Sequence, residues 1–307
     1  MDGAGGRRYL PPSMSSAPRL RIPPVPALLI AGTSLQGGAA LAKQLFPALG
    51  PAGASGVRLS FAAVLLFLFF RPRLWRLSAG AWRAAIPYGV ALGGMNFSFY
   101  LALERIPLGL AVTLEFLGPL GVALYGSRRL SDFAWVVLAG TGIFLLSPWS
   151  GGAGDIDPVG AGLALLAGAF WAAYIVLGAR TARRLTEVES VTAGMVVATV
   201  VVLPFALASG AAAKLTPTLA ALGVAVALLA SALPYTLEMV ALHALPSRVF
   251  GILTSLEPVV ATLVGWVALG EVLTGTQWLA VGLVCVASAG ATWSARSPAP
   301  APASPTS

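Results

Sequence analysis

Between residues 25 and 294 the chain is a succession of apolar runs separated by short segments in which arginine is concentrated. Each run is close to the roughly 20 residues that carry a helix across the ~30 Å core of a bilayer. In lipid, an open strand leaves backbone groups unsatisfied, so runs of this kind are helices. They fall at 25–44, 52–70, 84–103, 107–126, 132–149, 158–178, 190–208, 218–242, 248–270 and 276–294. Only 10% of the residues are charged and 57% are hydrophobic, too little charge to cover a water-facing surface. A soluble enzyme is excluded. The expected fold class is an all-α membrane protein of ten transmembrane helices.

Outside the runs little can be buried. Residues 1–24 are basic and rich in Pro, Ser and Gly, and they lack the apolar stretch of a cleaved signal. They read as a disordered cytoplasmic tail, as does the Pro-rich end at 295–307. Cys285 is the single cysteine and His243 the single histidine, so neither an intramolecular disulfide nor a Cys/His zinc cluster can be built. A Walker A sequence is absent, and no cofactor or metal is expected. The net charge of +8 does not point to nucleic acid. The arginines lie between apolar runs, where they anchor helix ends at a membrane face.

Those arginines also orient the chain. With the N-terminus in the cytoplasm, Arg7, Arg8, Arg19, Arg21, Arg71, Arg73, Arg76, Arg83, Arg128, Arg129, Arg180, Arg183, Arg184, Arg248 and Arg296 fall on that side. Only Arg105 and Lys214 fall outside, while Lys43 and Arg58 lie within runs. This segregation is a strong positive-inside signal and places both termini in the cytoplasm.

An internal repeat accompanies it. Residues 86–119 align without gaps on 225–258, a shift of 139, which sets Pro107 on Pro246, Pro119 on Pro258 and Leu103 on Leu242. The reading is a first repeat at 25–149, an external linker at 150–157 and a second repeat at 158–294. Five helices per repeat is an odd number, so the second repeat inserts upside down. Inverted repeats of this kind are typical of secondary transporters, whose substrate site lies between the repeats near the midplane.

Ionisable residues inside the runs are the natural site candidates, since each costs roughly 2.5–3.5 kcal/mol on insertion scales. Glu115 in VTLEFLGP and Glu257 in LTSLEP lie near the middle of equivalent runs, three residues apart in register. Pro119 and Pro258 follow them, and a proline frees a carbonyl in the preceding turn. An acid beside freed carbonyls suits an ammonium group or a coupled proton. Glu238 sits nearer the inner face, Arg58 in the outer third of its run, and Lys43 near a run end from which it can snorkel. Gln36, Asn96, Trp171, Tyr174 and Tyr235 add uncharged polar groups that either line a path or merely bridge helices.

Several segments carry a family resemblance. SLQGGAALAKQLFP (34–47), YGVALGGMNFSFYLAL (88–103), PLGLAVTLEFLGPLGVAL (107–124), SALPYTLEM (231–239) and LPSRVFGILTSLEP (245–258) are similar to the threonine/homoserine exporters in the EamA branch of the drug/metabolite transporter superfamily. The likeness spans about residues 25–294. It implies ten helices in two inverted repeats and export of threonine, homoserine and related amino acids across the bacterial inner membrane, driven by protons. The expected partners are a small amino acid, a proton and the lipid bilayer; monomer and homodimer both stay open. An exporter of another small metabolite or of a cationic drug is the alternative. A lipid-modifying enzyme would have only His243 and Asp132, on different loops, for its chemistry.

Overall fold

The computed structural model describes residues 23–125, 130–145, 156–245 and 247–294. Side chains at 130–132, 235, 236, 239, 240, 242, 243, 247 and 248 fall outside that description. The described residues form helices joined by short turns, with no strand among them. In chain order the helices are α1 Pro24–Lys43, α2 Phe46–Phe70, α3 Ala79–Leu103, α4 Leu108–Glu115, α5 Leu117–Tyr125, α6 Leu130–Leu145 and α7 Pro158–Thr181. They continue with α8 Glu187–Ala208, α9 Ala211–Lys214, α10 Pro217–Ala227, α11 Leu233–Ala244, α12 Ser247–Thr254, α13 Glu257–Leu269 and α14 Gly275–Ser294.

Among the described residues seven helical stretches are long and apolar enough to cross a membrane: Pro24–Lys43, Phe46–Phe70, Leu108–Tyr125, Pro158–Thr181, Glu187–Ala208, Val249–Leu269 and Gly275–Ser294. Phe133–Leu145 and Pro217–Ala232 are apolar but shorter. Phe69, Val200 and Val267 are all more than half exposed, as a lipid-facing surface requires. α3 is long but less apolar, and the packing explains why. It runs against α7 and α8 and buries Tyr88, Asn96, Ser98 and Tyr100, so its polar groups face neighbouring helices and not lipid.

Local chemistry sets the ends of the elements. α2 carries a kink at Gly50 (φ 68°, ψ 167°) before Pro51, which is why the apolar run reads as starting at 52. A left-handed Arg71 (φ 48°) closes it. Asp157 caps α7, accepting from Val159 N at 2.8 Å and Gly160 N at 3.3 Å, while Arg105 donates to its other oxygen at 2.9 Å. The bond from Arg105 holds this carboxyl below its usual range. The cap is therefore intact at neutral pH and weakens only as pH falls through that lowered value. Thr186 and Glu189 close the start of α8 with a reciprocal capping box.

α4 and α5 lie directly on α7 because both sides are glycine at the crossing. A Cβ on Gly118 would run into the Gly168 carbonyl, and one on Gly168 would stand 2.6 Å from the Glu115 carbonyl oxygen. Gly162, on the same helix, has open space instead. Gly168→Ala should therefore cost about 1–3 kcal/mol through overpacking. Gly162→Ala should be neutral or slightly stabilising, since Ala favours a helix by about 0.5–1 kcal/mol over Gly. Thermal unfolding of the two purified variants checks this. Equal midpoints would show that the contact yields without strain.

Candidate functional site: a polar chamber at three proline breaks

Three prolines shape the centre of the bundle. Proline has no N–H to give the carbonyl four residues earlier. Pro119 thus leaves the Glu115 carbonyl without its helical donor, and α4 ends at Glu115. Pro258 does the same to Thr254, and α12 ends there. Pro234 does it to Ala230, where the helix loosens into a π turn over Leu228–Ala232. At this third break a side chain supplies what proline cannot: Arg58 Nη2 donates to the Ala230 carbonyl at 2.9 Å.

The three breaks border one chamber. A narrow part of about 90 Å³ is lined by Gln36 and Ala39 of α1, Arg58 of α2, Asn96 of α3, and Glu115, Trp171 and Glu257. A wider part of about 320 Å³ adds Tyr174, Ala230, Glu238, Phe250 and Thr254. Arg58, Met95, Asn96, Trp171 and Glu257 line both, so the two parts adjoin. The wider part alone reaches Tyr174 and Ile175 in the later half of α7 and Glu238 of α11. At the other end a packed core including Leu45, Leu49, Leu103, Ile106, Leu108 and Leu110 fills the space.

Arg58 is the organising cation. It is 7% exposed and donates from Nη1 to Asn96 Oδ1 at 2.7 Å, and its guanidinium carbon lies 5.5 Å from the centre of the Tyr100 ring. Asn96 is held in turn by its amide, which donates to the Leu92 carbonyl at 2.8 Å. Among the described residues no ion pair joins Arg58 to Glu115, Glu238 or Glu257. Its partners are neutral. Arg58 Nε, Ser55 Oγ, Tyr100 OH and Ser231 Oγ are buried without a partner among the described residues. Such groups are rare in native interiors.

Glu115 is 7% exposed at the end of α4, beside Phe116, whose ring meets Trp171 edge-on at 5.3 Å. Glu257 opens α13, its side chain half-buried against Gly32 of α1. Chamber walls therefore come from α1 to α5, α7 and the α10–α13 stretch. Tyr174 stacks on Tyr88 at 4.7 Å, with their hydroxyls 2.9 Å apart.

The structure brings Gln36, Arg58, Asn96, Glu115, Trp171, Tyr174, Glu238 and Glu257 together around this space. Tyr235 lies in α11, its side chain outside the described residues. Lys43 is placed elsewhere. It forms a 2.6 Å ion pair with Glu271, whose other oxygen accepts from Leu108 N at the start of α4 at 2.8 Å. Glu271 thus ties α1 and α4 to the turn between α13 and α14 at the filled end. Sequence reasoning passed over Glu271 because it reads as a flanking loop acid. It also passed over the Ala230 carbonyl, for which Pro234 in SALPYTLEM was the available signal.

Comparison with known proteins agrees with this architecture. Residues 158–293 match the EamA-like transporter family. The "Threonine/homoserine exporter RhtA" of Escherichia coli strain K12 is 45% identical over 276 residues, covering 89% of this chain and 92% of its own length. The protein of the same description from Salmonella typhimurium strain LT2 matches with the same identity and coverage. A solved crystal structure 24% identical shares the fold, with a TM-score of 0.56 over 88% of this chain and 97% of that one. With a relative this similar along nearly its whole length, and with apolar helices enclosing a polar chamber, the chain belongs to the EamA-like transporter family.

Proposed function

We propose that this chain is a secondary exporter of small amino acids such as threonine and homoserine, working across the bacterial inner membrane by proton antiport. One observation carries the reading: among the described residues, three carboxylates and a single arginine line the chamber without pairing with one another. Buried charges need counter-charges, and unpaired ones are costly. An amino acid brings both signs at once. Its carboxylate would meet the unfilled donors of Arg58, and its ammonium would meet Glu115 or Glu257. When it leaves, a proton takes its place on the acids. Asn96 and Gln36 would fix the solute's orientation, and Trp171 with Tyr174, Glu238 and Tyr235 would shape the entry. Lys43 would act through Glu271 at the far end and not on the solute.

The relatives' description as threonine/homoserine exporters supports this choice of cargo. The proposed architecture is ten crossings in two inverted repeats, 25–149 and 158–294, with both termini cytoplasmic. It takes α4 with α5, α10 with α11, and α12 with α13 as single broken crossings. α4 and α12 support the repeat: both have eight residues, and their ends are related by the same shift of 139 found in the sequence. The chamber then faces the cytoplasm, its wider part toward the arginine-rich end. Alternating access follows from one repeat rocking against the other.

Proteoliposomes loaded with a panel of amino acids test the proposal, assayed with and without a pH gradient. Threonine and homoserine should leave faster when the gradient is applied. Efflux of cationic dyes with no efflux of amino acids would replace this reading with that of a drug exporter.

A further inference from the structure

A second cavity, of about 570 Å³, lies between the start of α3 and the end of α7, apart from the chamber. Four arginines converge on it: Arg83 from α3, Arg180 from the last turn of α7, and Arg183 and Arg184 from the turn that follows. Its floor is apolar, made by Ala84, Pro87 and Leu177. Arg184 donates to the Gly80 carbonyl at 3.1 Å. Among the described residues none of the four is ion-paired with a carboxylate. Four unneutralised guanidiniums around one concave space form a site for a multiply hydrogen-bonding anion, and the fork of each guanidinium matches phosphate oxygens.

The surroundings select among phosphates. Ile86 and Val90 follow Arg83 by three and seven positions, and Val176 precedes Arg180 by four, so each shares a helical stripe with an arginine of the cavity. Ile86 is 48% exposed, Val90 39% and Val176 45%. The arginine cluster thus gives way, one to two turns deeper, to bare apolar surface on the same two helices. Trp75, 71% exposed at the same end of the bundle, suits the level of the headgroups. A free phosphate would use the arginines and leave the apolar strip unused. A phospholipid uses both.

We propose that this cavity is a binding site for the phosphate headgroup of an anionic phospholipid, whose acyl chain lies along Ile86, Val90 and Val176. The site is independent of transport and concerns which lipid the protein carries with it. Each arginine near a membrane surface strengthens an anionic contact about fivefold.

Native mass spectrometry of the full chain, titrated with dioleoyl-phosphatidylglycerol, dioleoyl-phosphatidylcholine or inorganic phosphate, tests the proposal. Phosphatidylglycerol should be retained in preference to phosphatidylcholine, and millimolar phosphate should not displace it. The triple variant R83Q/R180Q/R183Q should bind phosphatidylglycerol about a hundredfold more weakly. R71Q/R73Q, at the same end but outside the cavity, should bind it as the parent does. The single variant R180Q, expected to lose about fivefold, reads the same effect if the triple variant aggregates. Equal retention of the two lipids would overturn the proposal. So would unchanged binding by the triple variant. Displacement by phosphate would make this a site for free anions and overturn the lipid assignment.

Discussion

Glu115→Gln and Glu257→Gln should each reduce efflux driven by a pH gradient by about 10–100-fold while leaving the protein folded and in the membrane. The range follows from the loss of one charge-assisted hydrogen bond to the solute, worth about 1.5–3 kcal/mol. Glutamine keeps the size of the side chain, but it can neither carry a negative charge nor exchange a proton. Both acids line the narrow part of the chamber, where an ammonium group has the fewest alternative partners. Glu238 lines only the wider part, so Glu238→Gln should cost less, within about tenfold. If Glu115 only carries the proton, its variant should still exchange solute for solute across proteoliposomes without a gradient. Should it bind the ammonium as well, exchange is lost too. Gradient-driven efflux at the parent rate in both variants would remove the acids from the mechanism and leave them as structural remnants.

Much of this site was legible in the sequence because its signals are local. A carboxylate in an apolar run is conspicuous at any register, and Glu115, Glu238 and Glu257 stand out for that reason. Pro119 and Pro258 are read through a rule that spans only four residues, and α4 and α12 end where it places them. The same rule applied to Pro234 frees the Ala230 carbonyl, but the donor that takes it, Arg58, lies 172 positions away. The partnership of Lys43 with Glu271 spans 228 positions, so periodicity and spacing are silent about it. Lys43 stands near a run end, where a basic residue reads equally as a snorkelling anchor or as a site group. What decides is the docking of α1 and α4 against the α13–α14 turn. Composition marks which residues are costly to bury, and only packing says which of them share a cavity.

Arg58 joins those two levels, and its removal should have the largest combined effect. Arg58→Met leaves the Ala230 carbonyl without a donor, because Pro234 cannot provide one, and strips Asn96 Oδ1 of its partner. Each buried polar group left unmade costs about 1–3 kcal/mol. The chamber also loses the one cation among its described lining residues, while three acids remain. The two groups left unmade set the expected loss of stability at about 2–6 kcal/mol. Thermal unfolding in detergent should show it as a clear drop in midpoint, and amino-acid efflux should fall to background. Arg58→Lys separates structure from recognition. It restores the positive charge but has no planar fork to reach Asn96 and Ala230 together. A protein that regains most of its stability yet needs at least tenfold more substrate for half-maximal efflux would show that the guanidinium grips the solute carboxylate. Recovery of stability and affinity together would show that charge alone suffices. Parent-level efflux by Arg58→Met would mean that the bonds to Asn96 and Ala230 are scaffolding, and that the carboxylate of the solute is held elsewhere.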